Sequence, residues 1–108
     1  NIQPKISHFH EGLKKFRQLT HVGDVRQQGM MIGIELVKNK KTKSEYNWLE
    51  KTGIKVCNDL RSRGIILRPL GNIIVIMPPL SITSNEISFL LRSTYQSIKK
   101  VTEKRQIK

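Results

Sequence analysis

The stretch GIILRPLGNIIVIMPPLSIT, residues 64–83, decides the fold because two short apolar runs flank a turn. Isoleucine and valine dominate the runs, which favours strands over helices. We predict strands at residues 65–68 and 73–77, joined by the turn PLGN. Pro78 and Pro79 end the second strand, since proline cannot donate to a sheet ladder. A connection this short favours antiparallel pairing of the two strands.

The first of these strands is predicted to end in Arg68, directly before Pro69. A guanidinium group offers a planar fork of donors that matches a carboxylate, and proline restricts the backbone on both sides of the junction. The residues allow two interpretations. Arg68 is either an anchor for an anionic ligand or an edge-strand arginine that limits aggregation.

Upstream of this stretch, apolar residues recur at steps of three and four through residues 2–19, which predicts an amphipathic helix. A hairpin follows, with strands at 22–26 and 30–37 and a turn at 27–29, and the lysine-rich residues 38–47 form a loop. Gly23, Gly29 and Gly33 suit a turn, a bulge or a close backbone approach. The expected buried stripe of the first helix is Ile2, Ile6, Phe9, Leu13 and Phe16.

A second helix is predicted at residues 48–63, irregular near Gly53 and stopped by Gly64. It should bury Ile54, Cys57 and Leu60. Thr83 and Glu86 form the capping box of a third helix, whose tail should fray after residue 102. The expected core face of that helix is Ile87, Leu90, Leu91, Thr94, Ile98 and Val101.

The elements therefore follow the order helix, strand, strand, helix, strand, strand, helix. This order predicts an α+β fold, a small and mostly antiparallel four-stranded sheet covered by helices. We expect residues 1–108 to form a single domain with a modest core. The N-terminus shows neither an initiator Met nor a secretory signal pattern, so we expect the middle of a longer chain.

The chain has 20 Lys and Arg against 8 Asp and Glu, a formal charge of +12 that would attract polyanions. The basic residues are scattered, however, and no aromatic residues alternate with them as a stacking surface requires. We therefore favour a solvated lysine-rich surface over nucleic-acid binding. No apolar run is long enough for a membrane span. The lone Cys57 excludes an internal disulfide, fits a reducing compartment and is expected to be a buried apolar residue.

Catalytic patterns are absent from the sequence. His8 and His10 lie two residues apart and would point in different directions on a helix, while His21 stands alone. The acidic residues are dispersed, and neither a phosphate-binding glycine loop nor a nucleophile motif occurs. We expect no catalytic, cofactor-binding or metal-binding residue in this chain.

Two motifs in the sequence resemble those of a known enzyme family. VGDVRQQGMMIGIELV, residues 22–37, followed by the 64–83 stretch and a capped helix, resembles the C-terminal part of class III pyridoxal-phosphate-dependent aminotransferases. The likeness spans residues 13–101. Many members carry an Arg-Gly-x-Gly turn, and the residues at 26–29, Arg-Gln-Gln-Gly, depart from it in a way similar to the biotin-synthesis branch.

The resemblance implies the small C-terminal domain of a cytoplasmic homodimeric enzyme, packed on a large domain that holds pyridoxal phosphate. It implies that Arg68, the arginine of an Arg-Pro motif, binds the carboxylate of a small-molecule substrate. The Schiff-base lysine and the other cofactor ligands would lie in the large domain, outside residues 1–108. Three alternatives stay open: another omega-amino-acid or ornithine-type aminotransferase of this class, a stand-alone basic module for polyanions, and a non-catalytic interaction domain.

Overall fold

A computed structural model describes residues 1–47 and 50–103 of the chain. The predicted order of helices and strands and the α+β class are confirmed. The elements are α1 (Gln3–Leu13), a 3-10 helix (Lys14–Gln18), β1 (Val22–Gln28), β2 (Met31–Leu36), α2 (Thr52–Ser62), β3 (Arg68–Leu70), β4 (Ile73–Ile76) and α3 (Ser84–Thr102). The sheet has the strand order β1-β2-β4-β3, and every neighbouring pair is antiparallel.

One face of the sheet forms the floor of the core. Side chains alternate between the two faces of a strand, so Ile32 and Ile34 of β2 and Ile74 and Ile76 of β4 all point the same way and are buried. The helices pack over this face, and α3 contacts both α1 and α2. The opposite face has no helix over it within the described residues, which leaves it open to a ligand or partner.

The first hairpin differs from the sequence prediction in its turn. β1 continues to Gln28, and the turn consists of Gly29 and Met30 instead of residues 27–29. Gly29 has a φ of +60°, a conformation that glycine adopts without steric strain. The register shifts between Val22 and Asp24, so the expected bulge lies at the start of β1.

The first helix is shorter than predicted. The α-helix ends at Leu13 and continues as a 3-10 turn to Gln18. Phe9, Leu13 and Phe16 are buried as expected, whereas Ile6 is only partly buried. The prediction was wrong for Ile2, which is exposed because it precedes the first helical turn as its N-cap.

The second helix begins at Thr52, while Trp48 and Leu49, where the prediction started it, lie outside the described residues. Cys57 and Leu60 are buried as expected, but Ile54 is 46% exposed and that prediction was wrong. The face of α2 that packs inward runs through residues 53, 56, 57 and 60, and Ile54 lies about 100° away from it around the helix axis. Gly64 follows the helix with a φ of +85°, the conformation of a C-terminal stop.

The third helix agrees with the prediction in its start and its buried face. The Glu86 N–H donates to Thr83 Oγ1 at 3.2 Å, and the Thr83 N–H donates to Glu86 Oε1 at 2.8 Å. Both halves of the capping box are therefore present. The expected core face is confirmed, with Val101 partly buried at its end. The predicted fraying concerns residues 103–108, of which only Glu103 is described; its N–H donates to the Lys99 carbonyl at 2.9 Å.

Asp59 joins α2 to α3. Its carboxylate accepts hydrogen bonds from Ser97 Oγ at 2.6 Å, Lys100 Nζ at 3.0 Å and Arg63 Nε at 3.2 Å. The hydrogen bond from Ser97 contributes most to lowering the pKa of Asp59 to about 2, and those from Lys100 and Arg63 add to it. The side chain is 13% exposed, so the three donors hold a charge that is largely removed from solvent.

Candidate functional site

The open face of the sheet brings two arginines into one row. The register pairs Arg26 with Gly33, Gly33 with Val75, and Val75 with Arg68. These four residues therefore follow one another across all four strands, with an arginine at each edge. Because the buried isoleucines alternate with them, the whole row lies on the face that no described helix covers.

Arg68 occupies a different place in its strand from the one predicted. It is the first residue of β3, not the last, and residues 65–67 lie outside the strand. β4 ends at Ile76, and Pro78 beyond it has no N–H with which to continue the ladder toward residue 65. Pro69 is tolerated inside β3 because β3 is an edge strand, paired only with β4.

The guanidinium of Arg68 is available to a ligand. Within the described residues it makes neither a hydrogen bond nor an ion pair, although it carries five N–H donors. It lies in a shallow depression of about 440 Å³ whose other lining is apolar. A cation in such surroundings attracts an anion strongly once a covering surface excludes water. The depression is lined by Arg68 together with Ile66, Leu67, Pro69, Leu70, Val75 and Met77.

Arg26, at the other end of the row, is already neutralised. Its Nε donates to Asp24 Oδ2 at 2.6 Å, and this hydrogen bond is the largest cause that lowers the pKa of the Asp24 carboxyl group. Arg26 therefore has a permanent counter-charge, whereas Arg68 has none among the described residues. The two arginines are chemically distinct, and Arg68 is the candidate anion receptor of the open face.

The turn after Arg68 is held from several sides. Gly71 has a φ of +62° at the first position of the two-residue turn, where this conformation matches the twist of a hairpin. The Leu36 N–H donates to the Asn72 carbonyl at 2.8 Å, and Asn72 Nδ2 donates to the Tyr46 carbonyl at 3.2 Å. The turn lies within the predicted PLGN segment, and the structure adds Tyr46 and Leu36 as anchors that the sequence pattern did not reveal.

The other candidate groups serve the structure. His8 lies within 3.4 Å of Ser84 Oγ and 3.2 Å of Ser88 Oγ on α3, and His21 Nδ1 lies 3.0 Å from the Val37 carbonyl. Cys57 is buried, and burial raises the pKa of its thiol, which disfavours the reactive thiolate. Among residues 1–47 and 50–103, no group of three His, Cys, Asp or Glu is placed to hold a metal ion.

The lysines of the described residues lie at the surface. None of them is buried, and Lys5, the least exposed, donates from its Nζ to the Leu80 carbonyl at 2.5 Å. Much of the basic surface is tied into the fold: Lys40 donates to the Arg17 carbonyl, Lys38 pairs with Glu50, and Lys15 lies over the Tyr95 ring. Within the part of the chain described, no helix is both long and apolar enough to cross a bilayer.

Within residues 1–47 and 50–103, fold and site define a small α+β domain that displays the unpaired guanidinium of Arg68 on an uncovered sheet face. The family model described as Aminotransferase class-III matches residues 1–98, and the chain belongs to this family. Enzymes of this class depend on pyridoxal phosphate.

Two curated relatives are named adenosylmethionine-8-amino-7-oxononanoate aminotransferase. The chain is 52% identical to the one from Methanocaldococcus jannaschii over 99 residues, which are 92% of this chain and 22% of the relative. It is 50% identical to the one from Geobacter sulfurreducens over 98 residues, 91% of this chain and 22% of the relative. The chain thus spans about a fifth of the length of these relatives.

Solved structures agree with this assignment. The crystal structure of the M. jannaschii enzyme matches with a TM-score of 0.91 and 51% identity, over 94% of this chain and 23% of that chain. The PMP-bound form of an aminotransferase from Vibrio fluvialis matches with a TM-score of 0.91 and 25% identity, over 95% of this chain and 23% of that chain.

Proposed function

We propose that residues 1–108 form the C-terminal small domain of a transaminase of biotin synthesis. The complete enzyme transfers an amino group from S-adenosylmethionine to 8-amino-7-oxononanoate and gives 7,8-diaminononanoate. The names of the relatives at 50% and 52% identity support this choice of substrates within the family. The departure at Gln27 from the Arg-Gly-x-Gly turn is also in keeping with this branch.

The role proposed for this domain is to bind and orient the substrate carboxylate through Arg68. The observation that carries the proposal is a guanidinium without an intramolecular partner among the described residues, set in an apolar depression. The β3–β4 hairpin fixes the backbone beneath it, so binding loses little freedom and the carboxylate is held in one direction. Arg68 positions the substrate; it breaks and forms no bond.

The cofactor belongs to the rest of the enzyme in this proposal. The lysines among residues 1–47 and 50–103 lie at the surface, so none of them is a buried amine suited to a covalent link to pyridoxal phosphate. A large domain and a second subunit of a homodimer would supply the lysine and the phosphate site, and would cover the open face. Bound pyridoxal phosphate supplies the electron sink for amino transfer. We also propose a cytoplasmic location, with which the single buried Cys57 is compatible.

A second candidate function keeps the family and changes the substrate. The chain is 30% identical over 105 residues to a protein named probable gamma-aminobutyrate transaminase 3, mitochondrial, from rice. An omega-amino-acid or ornithine substrate also carries a carboxylate, so Arg68 serves both alternatives equally well. The higher identity to the adenosylmethionine-dependent relatives favours the first candidate.

The experiment that separates these candidates compares amino donors. The complete enzyme is incubated with pyridoxal phosphate, 8-amino-7-oxononanoate and one of S-adenosylmethionine, 4-aminobutyrate or ornithine, and the diamine is measured by mass spectrometry. We expect diamine with S-adenosylmethionine. Faster turnover of 4-aminobutyrate or ornithine with a common keto acid, and no diamine, would replace the first candidate by the second.

A further inference from the structure

Gly53, in the first turn of α2, touches the hairpin that carries Arg68. A Cβ atom at position 53 would lie 2.4 Å from the carbonyl oxygen of Gly71 and 3.1 Å from Cβ of Pro69. Pro69 directly follows Arg68, and Gly71 begins the turn between β3 and β4. The backbone of α2 therefore packs on the hairpin with no side chain between them.

The backbone conformation at position 53 does not itself require glycine. Gly29, Gly64 and Gly71 are the glycines with positive φ, and Gly53 is not among them. Glycine is also a poorer helix former than alanine. The close approach to the Gly71 carbonyl is therefore the physical reason for a glycine at this position.

The atoms that a Cβ would meet cannot easily move aside. The nearest is a backbone oxygen, and the next residue, Asn72, is anchored by the Leu36 N–H and by the Tyr46 carbonyl. A methyl group at position 53 would stand about 1 Å inside the 3.4 Å at which ordinary van der Waals contact begins. Because the collision is with backbone, it can be relieved only if α2 and the hairpin move apart.

We propose that Gly53 is a positioning residue for Arg68. Its missing side chain sets the separation between α2 and the β3–β4 hairpin, and thereby the place where the Arg68 guanidinium meets the substrate carboxylate. The inference rests on the proposed carboxylate-binding role of Arg68. A displacement of about 1 Å at such a contact is enough to lower catalytic efficiency by about a hundredfold.

Gly12 provides a matched control. It also lies in a helix, and a Cβ there would also meet an atom at 2.4 Å, but that atom is Cδ1 of Leu91, the flexible end of a side chain. Leu91 can rotate away, and its helix, α3, does not carry Arg68. Gly12→Ala therefore introduces the same methyl group and a similar overlap without moving the hairpin.

The test uses the complete transaminase with pyridoxal phosphate, as wild type and as the single variants Gly53→Ala, Gly12→Ala and Arg68→Ala. For each, kcat and KM are measured for 8-amino-7-oxononanoate and for its methyl ester, which lacks the negative charge. The readout is the ratio of the two kcat/KM values. Both substrates are measured on one preparation, so any loss of folded enzyme cancels from the ratio.

We expect Gly53→Ala to lower this ratio by about 10- to 100-fold, mainly through KM for the carboxylate substrate, and Gly12→Ala to leave it unchanged. Gly71→Ala is a second variant, because it strains the same turn through its positive φ without a collision in the core. It should lower the ratio in the same direction.

The variants also distinguish the positioning role of Gly53 from the carboxylate-binding role of Arg68 on which it rests. If Arg68→Ala lowers the ratio but Gly53→Ala keeps the wild-type value, the positioning role of Gly53 is overturned and the carboxylate role stands, whatever Gly71→Ala does. An equal fall in Gly12→Ala would also overturn it, since that result would reflect general loosening. If Arg68→Ala keeps the wild-type ratio, the proposed carboxylate role fails, and the inference fails with it.

Discussion

Replacing Asp59 by asparagine should destabilise the domain in a pH-dependent way. The folded-state pKa of about 2 lies below the ordinary value of 3.8, so the ionised form is favoured in the folded state. A shift of that size corresponds to roughly 2.5 kcal/mol. Lys100, one of the three donors, is 67% exposed, and solvent screening reduces the expected contribution to about 1–2 kcal/mol at neutral pH.

The direction of the pH dependence follows from the lower pKa of Asp59 in the folded state than in the unfolded state. A depressed pKa stabilises the fold fully above the ordinary pKa of 3.8, and the stabilisation is lost as the pH falls through about 2. The free energy of unfolding is measured by urea titration of wild type and Asp59→Asn at pH 7, pH 4 and pH 2. We expect the difference between the two proteins to be present at pH 7 and pH 4 and to shrink at pH 2.

The control for this experiment is Glu11→Gln. Glu11 pairs with Lys14 at 3.1 Å, but both side chains are mostly exposed, so the substitution should change stability by less than about 0.5 kcal/mol. A difference for Asp59→Asn no larger than that of the control at pH 7 would refute the reasoning. A difference that stays constant from pH 7 to pH 2 would show that the carboxylate charge is not its cause.

Two further predictions concern the same chain. Thr83→Ala removes the oxygen that accepts the Glu86 N–H, so it should lower the free energy of unfolding by about 1 kcal/mol, measured by urea titration. Unchanged stability would mean that the capping box contributes nothing. The isolated chain should self-associate in sedimentation velocity, because Ile66, which is 76% exposed, and other apolar side chains around Arg68 are open to solvent. The double variant Ile66→Lys, Leu70→Lys should sediment as a monomer. A monomeric wild type would contradict this expectation.

The sequence predicted those features that depend on local chemistry. The capping box at Thr83 was predicted because both partners lie three residues apart, and the strands were found from β-branched runs bounded by glycine and proline. The fold class followed from the order of these elements. The arginine was noted from the residues, whereas its proposed role came from the family resemblance.

The sequence-based predictions failed where the structure of one segment depends on how it packs against another element. The strand containing Arg68 begins later than predicted, because pairing depends on where β4 stops. Ile54 is exposed because the packing of α2 turns the face with residues 53, 56, 57 and 60 inward, which the apolar pattern alone did not reveal. The contact between Gly53 and Gly71 depends on how α2 packs on the hairpin, and the sequence showed only a glycine in a helical stretch.

The most direct test of the carboxylate role compares Arg68→Ala with Arg61→Ala in the complete transaminase. Arg61 lies exposed on α2, so its substitution removes the same charge away from the open face. The measurement is kcat/KM for the carboxylate substrate. The account predicts a loss equivalent to about 2–5 kcal/mol for Arg68→Ala and nearly wild-type activity for Arg61→Ala. Equal values for wild type and Arg68→Ala would contradict it.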